Sequence, residues 1–273
     1  MASFARLFFA NFADLGSTAG ISHRVLTVGP VIVFYYYQWW QQRTAKERLR
    51  DWEKDLGRFY VYAAAIAMAT LLRFEFGRVL TVVGWAVFAL ALVAAGERWN
   101  LRDLRWQSYI LAALTFVRSW TTNFYAPESL HGILGRVVTG GIVIACFYAA
   151  QLISPRSPDG RTEVERHPRL FYAVLATALL SILLFHEVSG GILTMAWAIE
   201  GVALLIAGFP LRDRILRLLG LSLFLICILK LFFYDLRQLE TLYRILSFIV
   251  LGVILVGVSW IYTRFRSRIE RYL

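Results

Sequence analysis

The sequence contains one pattern of apolar helices twice, with a constant offset of 112 positions between the copies. Identical residues at this offset include aromatic, charged and glycine positions, which an apolar composition alone does not favour. They pair Phe59 with Phe171, Tyr60 with Tyr172, Glu75 with Glu187, Trp85 with Trp197, Gly96 with Gly208, Arg105 with Arg217 and Gly140 with Gly252. The repetition predicts a duplicated helical bundle.

The composition indicates that this bundle lies in a membrane. Of the 273 residues, 59% are hydrophobic and only 17% are charged, which leaves too little polar surface to cover a soluble globule of this size. The apolar run after Arg6 is interrupted by Asn11 and Asp14, so we expect no removable signal peptide. Cys146 and Cys227 fall in apolar segments, where cysteine is usually a small packing residue. We therefore expect no disulfide, no metal site and no cofactor.

Nine apolar segments are candidates for membrane-spanning helices. The hydrocarbon core is about 30 Å thick and requires about 20 mostly apolar residues per helix. The segments cover residues 25–42, 58–74, 79–97, 106–124, 134–153, 169–186, 190–209, 215–235 and 245–263. Two are marginal, because 25–42 contains Pro30 and 58–74 is short. The predicted fold class is all-α, a polytopic transmembrane bundle with two tandem four-helix repeats.

The basic residues predict an orientation, because Lys and Arg in short loops are retained on the cytoplasmic side. Of the 29 basic residues, 20 lie in loops 43–58, 98–105, 156–169 and 212–217 or in the tail from Arg264. The opposite loops hold five. We expect a cytoplasmic carboxyl terminus and, with nine spans, an amino terminus outside. The net charge of +11 is mostly this topology signal, which also favours anionic lipids and argues against a nucleic acid partner.

The first predicted span ends in aromatic residues and is followed by a charged segment. Its last turns carry Tyr35, Tyr36, Tyr37, Trp39 and Trp40. Amphipathic rings at this depth are typical of an anchor at the membrane interface. Segment 43–58 then alternates acids and bases and places Leu49, Trp52 and Leu56 on one helical face. This pattern fits either a helix lying at the inner interface or a solvated connecting helix.

Proline and glycine mark an internal boundary at residues 154–168, where an irregular linker is predicted. The predicted domains are residues 1–57 with the first span and the interfacial helix, 58–153 with the first repeat, the linker 154–168, and 169–273 with the second repeat and a basic tail. Each repeat contributes an even number of helices. Both copies should therefore enter the membrane from the same side, related by an axis along the membrane normal.

The second half of the chain resembles a known family. The resemblance is carried by Trp197-Ala198-Ile199-Glu200-Gly201, by RLLGLSLFLICILKLFFYDL from Arg217 to Leu236, and by Tyr243-Arg244-Ile245-Leu246-Ser247-Phe248 with Leu251-Gly252. These residues are similar to bacterial predicted membrane proteins with domain of unknown function 2339, over about residues 190–265. The resemblance implies a polytopic inner-membrane protein, with this chain a short member or a carboxyl-terminal piece. It brings no established activity, substrate or catalytic residue.

One acidic residue stands where lipid would otherwise be expected. Glu200 lies about ten residues into its predicted span, near the middle of the membrane, and a charge there costs at least about 2.5–3.5 kcal/mol. The repeat equivalent of Glu200 is Phe88, so the acid breaks the internal symmetry. Lys230 on the following span is within side-chain reach. The spacing predicts an ion pair between Glu200 and Lys230, which would serve a ligand or only fix the register of the two helices.

Further polar residues map to the opposite side from the basic loops. They are Arg118, Asn123, His131, His186, Glu187, Asp235, Glu240 and Arg244. Together with Glu200 and Lys230 they predict an extracytoplasmic polar pocket. Two simpler interpretations stay open, because Glu240 and Arg244 are spaced to pair on one helix and His186 beside Glu187 fits either a proton-sensitive site or a solvated loop histidine.

The sequence carries none of the common signatures of an enzyme, including phosphate loops, His-Glu-x-x-His, Cys-x-x-Cys and Gly-x-Ser-x-Gly. Pro is nearly missing from the predicted spans, and continuous helices favour a rigid body over a rocking transporter. We predict a non-catalytic membrane scaffold or accessory subunit whose partners are membrane lipids and other integral membrane proteins. A solute or lipid transporter and a membrane enzyme with acid and base residues in its outer half are the alternatives.

Overall fold

The computed structural model describes residues 17–18, 21–44, 51–125, 133–155, 167–188 and 191–233, with single positions at 249, 252 and 256. Within these ranges it is helical, apart from two-residue strands β1 (Ser17–Thr18) and β2 (Ile21–Ser22), which pair antiparallel. The chain divides into two compact units, Met1–Glu187 (unit 1) and Val188–Leu273 (unit 2).

Eight helices lie in the described part of the chain. Unit 1 contains α1 (His23–Thr44), α2 (Asp51–Glu75), α3 (Gly77–Arg98), α4 (Arg102–Arg118), α5 (Ile133–Ile153) and α6 (Pro168–Glu187), and unit 2 contains α7 (Gly191–Gly208) and α8 (Arg214–Phe233). They coincide with the first eight predicted segments. The ninth, 245–263, lies largely outside the described residues. The all-helical class is confirmed.

Four stretches are long and apolar enough to cross a membrane, judged by length and composition. They are Val79–Arg98, Gly135–Ile153, Pro168–Glu187 and Arg214–Phe233, and Ile192–Gly208 is a shorter apolar helix. At 1.5 Å per residue, about 20 residues span the hydrocarbon core. The count of nine spans stays a prediction, because α1, α2 and α4 carry more polar residues within their length.

The helices of unit 1 pack around two cores. The larger core lies mainly among α3, α4, α5 and α6 and includes Val82, Ala112, Phe147 and Tyr172, while a smaller cluster between α1 and α2 is built on residues such as Ala64. α5 packs on α6, and the compact unit ends at Glu187. The linker at 154–168 and the domain bounds drawn from it stay a prediction. Residues Asp51–Gly57, predicted as part of an interfacial segment, belong to the same continuous helix as the second apolar segment.

The corner between α3 and α4 is a tight left-handed turn. Asn100 has φ 51°, a region in which asparagine is one of the better tolerated residues. The amide of Leu101 donates to the Gly96 carbonyl at 2.8 Å, and the Asn100 amide donates to the Glu97 carbonyl at 3.4 Å, which is the Schellman pattern. A Cβ at Gly96 would lie 2.8 Å from Cγ of Arg105. Glycine is therefore required at position 96, where α3 lies against the start of α4.

The corner between α7 and α8 in unit 2 has the same construction. Arg212 has φ 46°, the Asp213 amide donates to the Gly208 carbonyl at 3.0 Å, and the Arg212 amide donates to the Phe209 carbonyl at 3.0 Å. A Cβ at Gly208 would lie 2.6 Å from Cγ of Arg217. Each of these positions is offset by 112 from its counterpart in the α3–α4 corner.

Candidate functional site

The helices α7 and α8 approach each other backbone to backbone at two glycines. A Cβ on Gly220 would lie 2.7 Å from the carbonyl oxygen of Gly201, and a Cβ on Gly201 would lie 3.2 Å from the carbonyl oxygen of Gly220. Only glycine at position 220 allows this distance. Glu200 precedes Gly201 directly, so its side chain starts next to the point of closest approach.

Glu200 is buried, with 5% of its surface exposed, as its position in an apolar span predicts for a charge that turns away from lipid. Lys230 on α8 is partly buried, and its Nζ donates a hydrogen bond to Oγ1 of Thr194 at 2.5 Å. Thr194 lies six residues before Glu200, about 9 Å along the α7 axis. The ion pair between Glu200 and Lys230 stays a prediction.

Cys227 lies between these polar groups. Its Sγ is 3.8 Å from the carbonyl oxygen of Thr194, and Lys230 on the next turn of α8 donates to the hydroxyl of the same residue. We call the buried and partly buried residues Thr194, Glu200, Cys227 and Lys230 of this helix pair the α7–α8 seam. It offers a hydroxyl, a carboxyl, a thiol and an ammonium group inside an otherwise aliphatic helix pair.

Sequence reasoning missed Thr194. Its repeat equivalent is Val82, so a hydroxyl at this position is a second departure from the internal symmetry in the same helix as Glu200. This difference between the two copies is the sequence signal that could have identified Thr194. The hydroxyl matters chemically because the ammonium group of a lysine beside apolar residues needs a hydrogen-bond acceptor.

In unit 1, Arg118 lies against an aromatic ring. Its guanidinium carbon is 5.5 Å from the centre of the Trp85 ring, a distance typical of a cation–π contact. The indole Nε1 of Trp85 donates to the Ala69 carbonyl at 2.8 Å, which fixes the ring between α2 and α4. Arg118 also ends the regular part of α4, and a five-residue π-helical turn, Ser119–Asn123, follows it. No feature of the sequence indicates this turn.

Three helices meet at that π-turn through Arg136. Its Nε lies 3.3 Å from Oε1 of Glu187 at the end of α6, and its Nη1 donates to the Phe124 carbonyl at 3.1 Å. The cation thus sits at the carboxyl end of the α4 helix, where the helix dipole favours positive charge. In the charge pattern of the sequence, Arg136 is only one of the five basic residues assigned to the loops opposite the basic side. Glu187, an acid at the end of an apolar segment, is the sequence signal that a cation should lie near it.

Two more of the predicted polar residues join this end of unit 1. The ring of His186 packs edge-on against Tyr125 with centroids 4.8 Å apart, and Nδ2 of Asn123 donates to Oγ1 of Thr139 at 3.0 Å. Asn123, Arg136, His186 and Glu187 therefore form one group, the π-turn cluster. Asp235, Arg244, His131 and Glu240 lie outside the described residues. Among the positions that are described, no three His, Cys, Asp or Glu residues are placed to hold a metal ion.

A family model described as predicted membrane protein (DUF2339) matches residues 2–265. The chain belongs to this family. The match extends the resemblance seen in residues 190–265 to α1–α6, and with the apolar helices it identifies this DUF2339 protein as a membrane protein. The family has no assigned function. No curated protein and no solved structure matches the chain significantly.

Proposed function

We propose that this DUF2339 protein is a non-catalytic subunit of the bacterial inner membrane that packs against other integral membrane proteins. The supporting observation is the open apolar surface of α8. In the part of the chain that the structure describes, 22% of its span is buried, against 39% to 44% for the three candidate spans of unit 1. Leu221, Leu225 and Ile228 are each more than half exposed.

A neighbouring protein explains this surface together with the polar seam behind it. Lipid alone can cover aliphatic side chains, but polar residues within spans usually face the interior of a helical bundle. Among the described residues of unit 2, Glu200 and Lys230 are covered by the helix pair α7 and α8. Additional helices packed on α8 would complete a bundle around them.

Site-specific photocrosslinking tests this proposal. A photoreactive residue at Leu225, which is 58% exposed, should crosslink to one protein in constant stoichiometry after mild solubilisation. The matched control is Leu223 on the same helix, which is 5% exposed and should give no intermolecular product. Crosslinks from Leu225 to lipid alone would contradict the subunit proposal.

We also propose that the chain is a duplicated bundle of nine spans with its carboxyl terminus in the cytoplasm. The matching corners at Asn100 and Arg212 support the duplication. In this topology both corners lie on the cytoplasmic side, since an even number of helices separates them. Single cysteines at the two positions, in a chain lacking Cys146 and Cys227, should be labelled from that side only, and labelling of the two from opposite sides would contradict the arrangement.

A transporter is the second candidate, because the α7–α8 seam contains a buried acid, a lysine and a hydroxyl. Such groups line ion and proton pathways in membrane proteins. A transport pathway requires water at the seam. Glu200→Cys should then react with a small water-soluble thiol reagent, while Phe88→Cys, its repeat equivalent, should not. A reaction at neither position would leave the subunit proposal as the better one.

A further inference from the structure

We propose that unit 1 carries a binding site for the phosphate head group of an anionic phospholipid, at the end where α1 and α3 finish and α2 and α4 begin. The site consists of Trp40, Arg58, Arg98, Trp99 and Arg102, and we call it the head-group surface. It depends on neither of the functions proposed above.

The aromatic part of the surface is a contact between two exposed rings from different helices. Trp40 lies near the end of α1 and Trp99 directly follows α3, with ring centroids 6.4 Å apart in an edge-on arrangement. Their exposed fractions are 46% and 57%. Tryptophan combines a large apolar ring with a polar N–H, which favours the boundary between hydrocarbon and head groups. The contact therefore indicates the depth of the membrane interface.

The basic part comes from three helices. The amide Nε2 of Gln107 on α4 donates to the Val61 carbonyl of α2 at 3.2 Å, so the parts of α2 and α4 that carry Arg58 and Arg102 lie side by side. Arg98, the last residue of α3, immediately precedes Trp99. All three arginines are exposed. Guanidinium groups from separate helices that meet beside the interface can bind one phosphate from several directions.

Acidic residues lie near this surface as well. Of those whose side chains are described, Asp103 and Glu97 are partly buried, while the three arginines are exposed. Arg105 is buried and donates to Oδ1 of Asn100 at 3.0 Å, so it holds the corner together. Among the described side chains of this surface, the exposed charges are therefore positive.

The α7–α8 corner provides a matched comparison within the same chain. Arg214 is the repeat equivalent of Arg102 and is also exposed, as is Arg212. However, the equivalent of Trp99 is Leu211, and the equivalent of Arg58 is Leu170. Within the described part of unit 2, this corner therefore has arginines but no pair of tryptophan rings. A general attraction to anionic lipid would act on both corners, whereas a defined site would act only on the head-group surface.

Tryptophan quenching by brominated lipid measures the proposed binding. The full chain is reconstituted in phosphatidylcholine bilayers with increasing phosphatidylglycerol whose acyl chains carry bromine, and the contribution of Trp99 is taken as the difference from Trp99→Phe. We expect quenching at a lower mole fraction of brominated phosphatidylglycerol than of brominated phosphatidylcholine. Arg58→Gln with Arg102→Gln should reduce this preference by about fivefold for each arginine.

The control is Arg212→Gln with Arg214→Gln, which should leave the preference of the Trp99 signal unchanged. An equal loss in this control, or equal quenching by both brominated lipids, would contradict a defined site. If the Arg58 and Arg102 variants do not fold, the salt dependence of the unmodified chain decides. The preference should weaken as ionic strength rises, and a preference unaffected by salt would overturn the proposal.

Discussion

The α3–α4 and α7–α8 hairpins share a corner but cross differently. In the first hairpin, Oγ of Ser108 donates to the Ala89 carbonyl at 2.6 Å. The equivalent positions in the second are Gly220 and Gly201, where a Cβ on Gly220 would lie 2.7 Å from the carbonyl oxygen of Gly201. One hairpin is joined by a side-chain hydrogen bond and the other by direct backbone packing. The two corners therefore have the same backbone conformation. The contact at which the helices cross differs between the two hairpins.

The same comparison extends to the polar residues farther along the helices. Arg118 lies on the Trp85 ring, whereas its equivalent Lys230 donates to Thr194, the equivalent of Val82. The first hairpin satisfies its cation with an aromatic face and the second with a hydroxyl. Because Glu200 is present only in the second, we infer that this hairpin carries the more specialised chemistry.

The largest expected effect is the loss of Lys230. Lys230→Met should destabilise the protein by about 3 kcal/mol if it leaves Glu200 as an uncompensated buried charge. Adding Glu200→Gln should then restore much of the loss. Free energies of unfolding from titration with a denaturing detergent would complete this double-mutant cycle, and additive effects would remove the predicted ion pair.

A second cycle separates the observed partner of Lys230, Thr194, from the predicted one, Glu200. Thr194→Val copies the first hairpin at this position and removes the hydrogen bond seen at Nζ. Coupling between Thr194 and Lys230, without coupling to Glu200, would make the hydroxyl the main partner. The matched change Arg118→Met should cost only about 1 kcal/mol, the order of a cation–π contact.

The next effect concerns the crossing itself. Gly220→Ala should destabilise the protein by about 1–3 kcal/mol, because the new methyl group meets a backbone oxygen that cannot move alone. Gly141→Ala is the control, since nothing lies within 4 Å of a Cβ there. Thermal unfolding followed by circular dichroism in one detergent would compare the two. Equal melting temperatures of the two variants would show that the close contact between α7 and α8 is not needed for stability. That result would contradict the proposed difference between the two hairpins.

Much of the fold could be predicted from apolar runs and charge boundaries, but some helix ends could not. The predicted second span covers 58–74, and the helix that contains it, α2, begins earlier, at Asp51. Acids and bases do not prevent a helix from forming outside lipid, so hydropathy marks the apolar part of a helix and not its first residue. The π-turn Ser119–Asn123 was not predictable, because its wider hydrogen bonding depends on how α4 packs.

The site was predictable to the extent that burial of a charge is a local property. Glu200 is surrounded by apolar residues in sequence, and the structure buries it. The Thr194 partner of Lys230 depends on the rotation of α8 against α7, which the contact of Gly201 with Gly220 determines. The contact of Arg136 with Glu187 depends on how the ends of α5 and α6 align. Such relations between helices are absent from hydrophobic periodicity.

A smaller effect is expected for the hydrogen bond at the first crossing. Ser108→Ala should cost about 1–2 kcal/mol, because it removes the bond to Ala89 and also the 2.7 Å hydrogen bond with the fully buried hydroxyl group of Tyr172. Adding Tyr172→Phe should recover part of the loss, since no buried hydroxyl then lacks its partner. Ser222→Ala, an exposed serine bonded only to the preceding turn of α8, is the control and should change the unfolding free energy little. A cost equal to that control would show that the hydroxyl is not what joins α3 to α4.

The smallest expected effect distinguishes the two corners. Arg212→Gly should stabilise the protein by about 0.5–1 kcal/mol, because glycine adopts positive φ without the steric cost that a long side chain meets there. Asn100→Gly should bring no gain, since asparagine tolerates this region and its Oδ1 accepts the hydrogen bond from Arg105. Unfolding midpoints of the two variants in the same detergent would test the difference. A larger gain at Asn100 than at Arg212 would show that the side-chain bond contributes less to its corner than the strain costs.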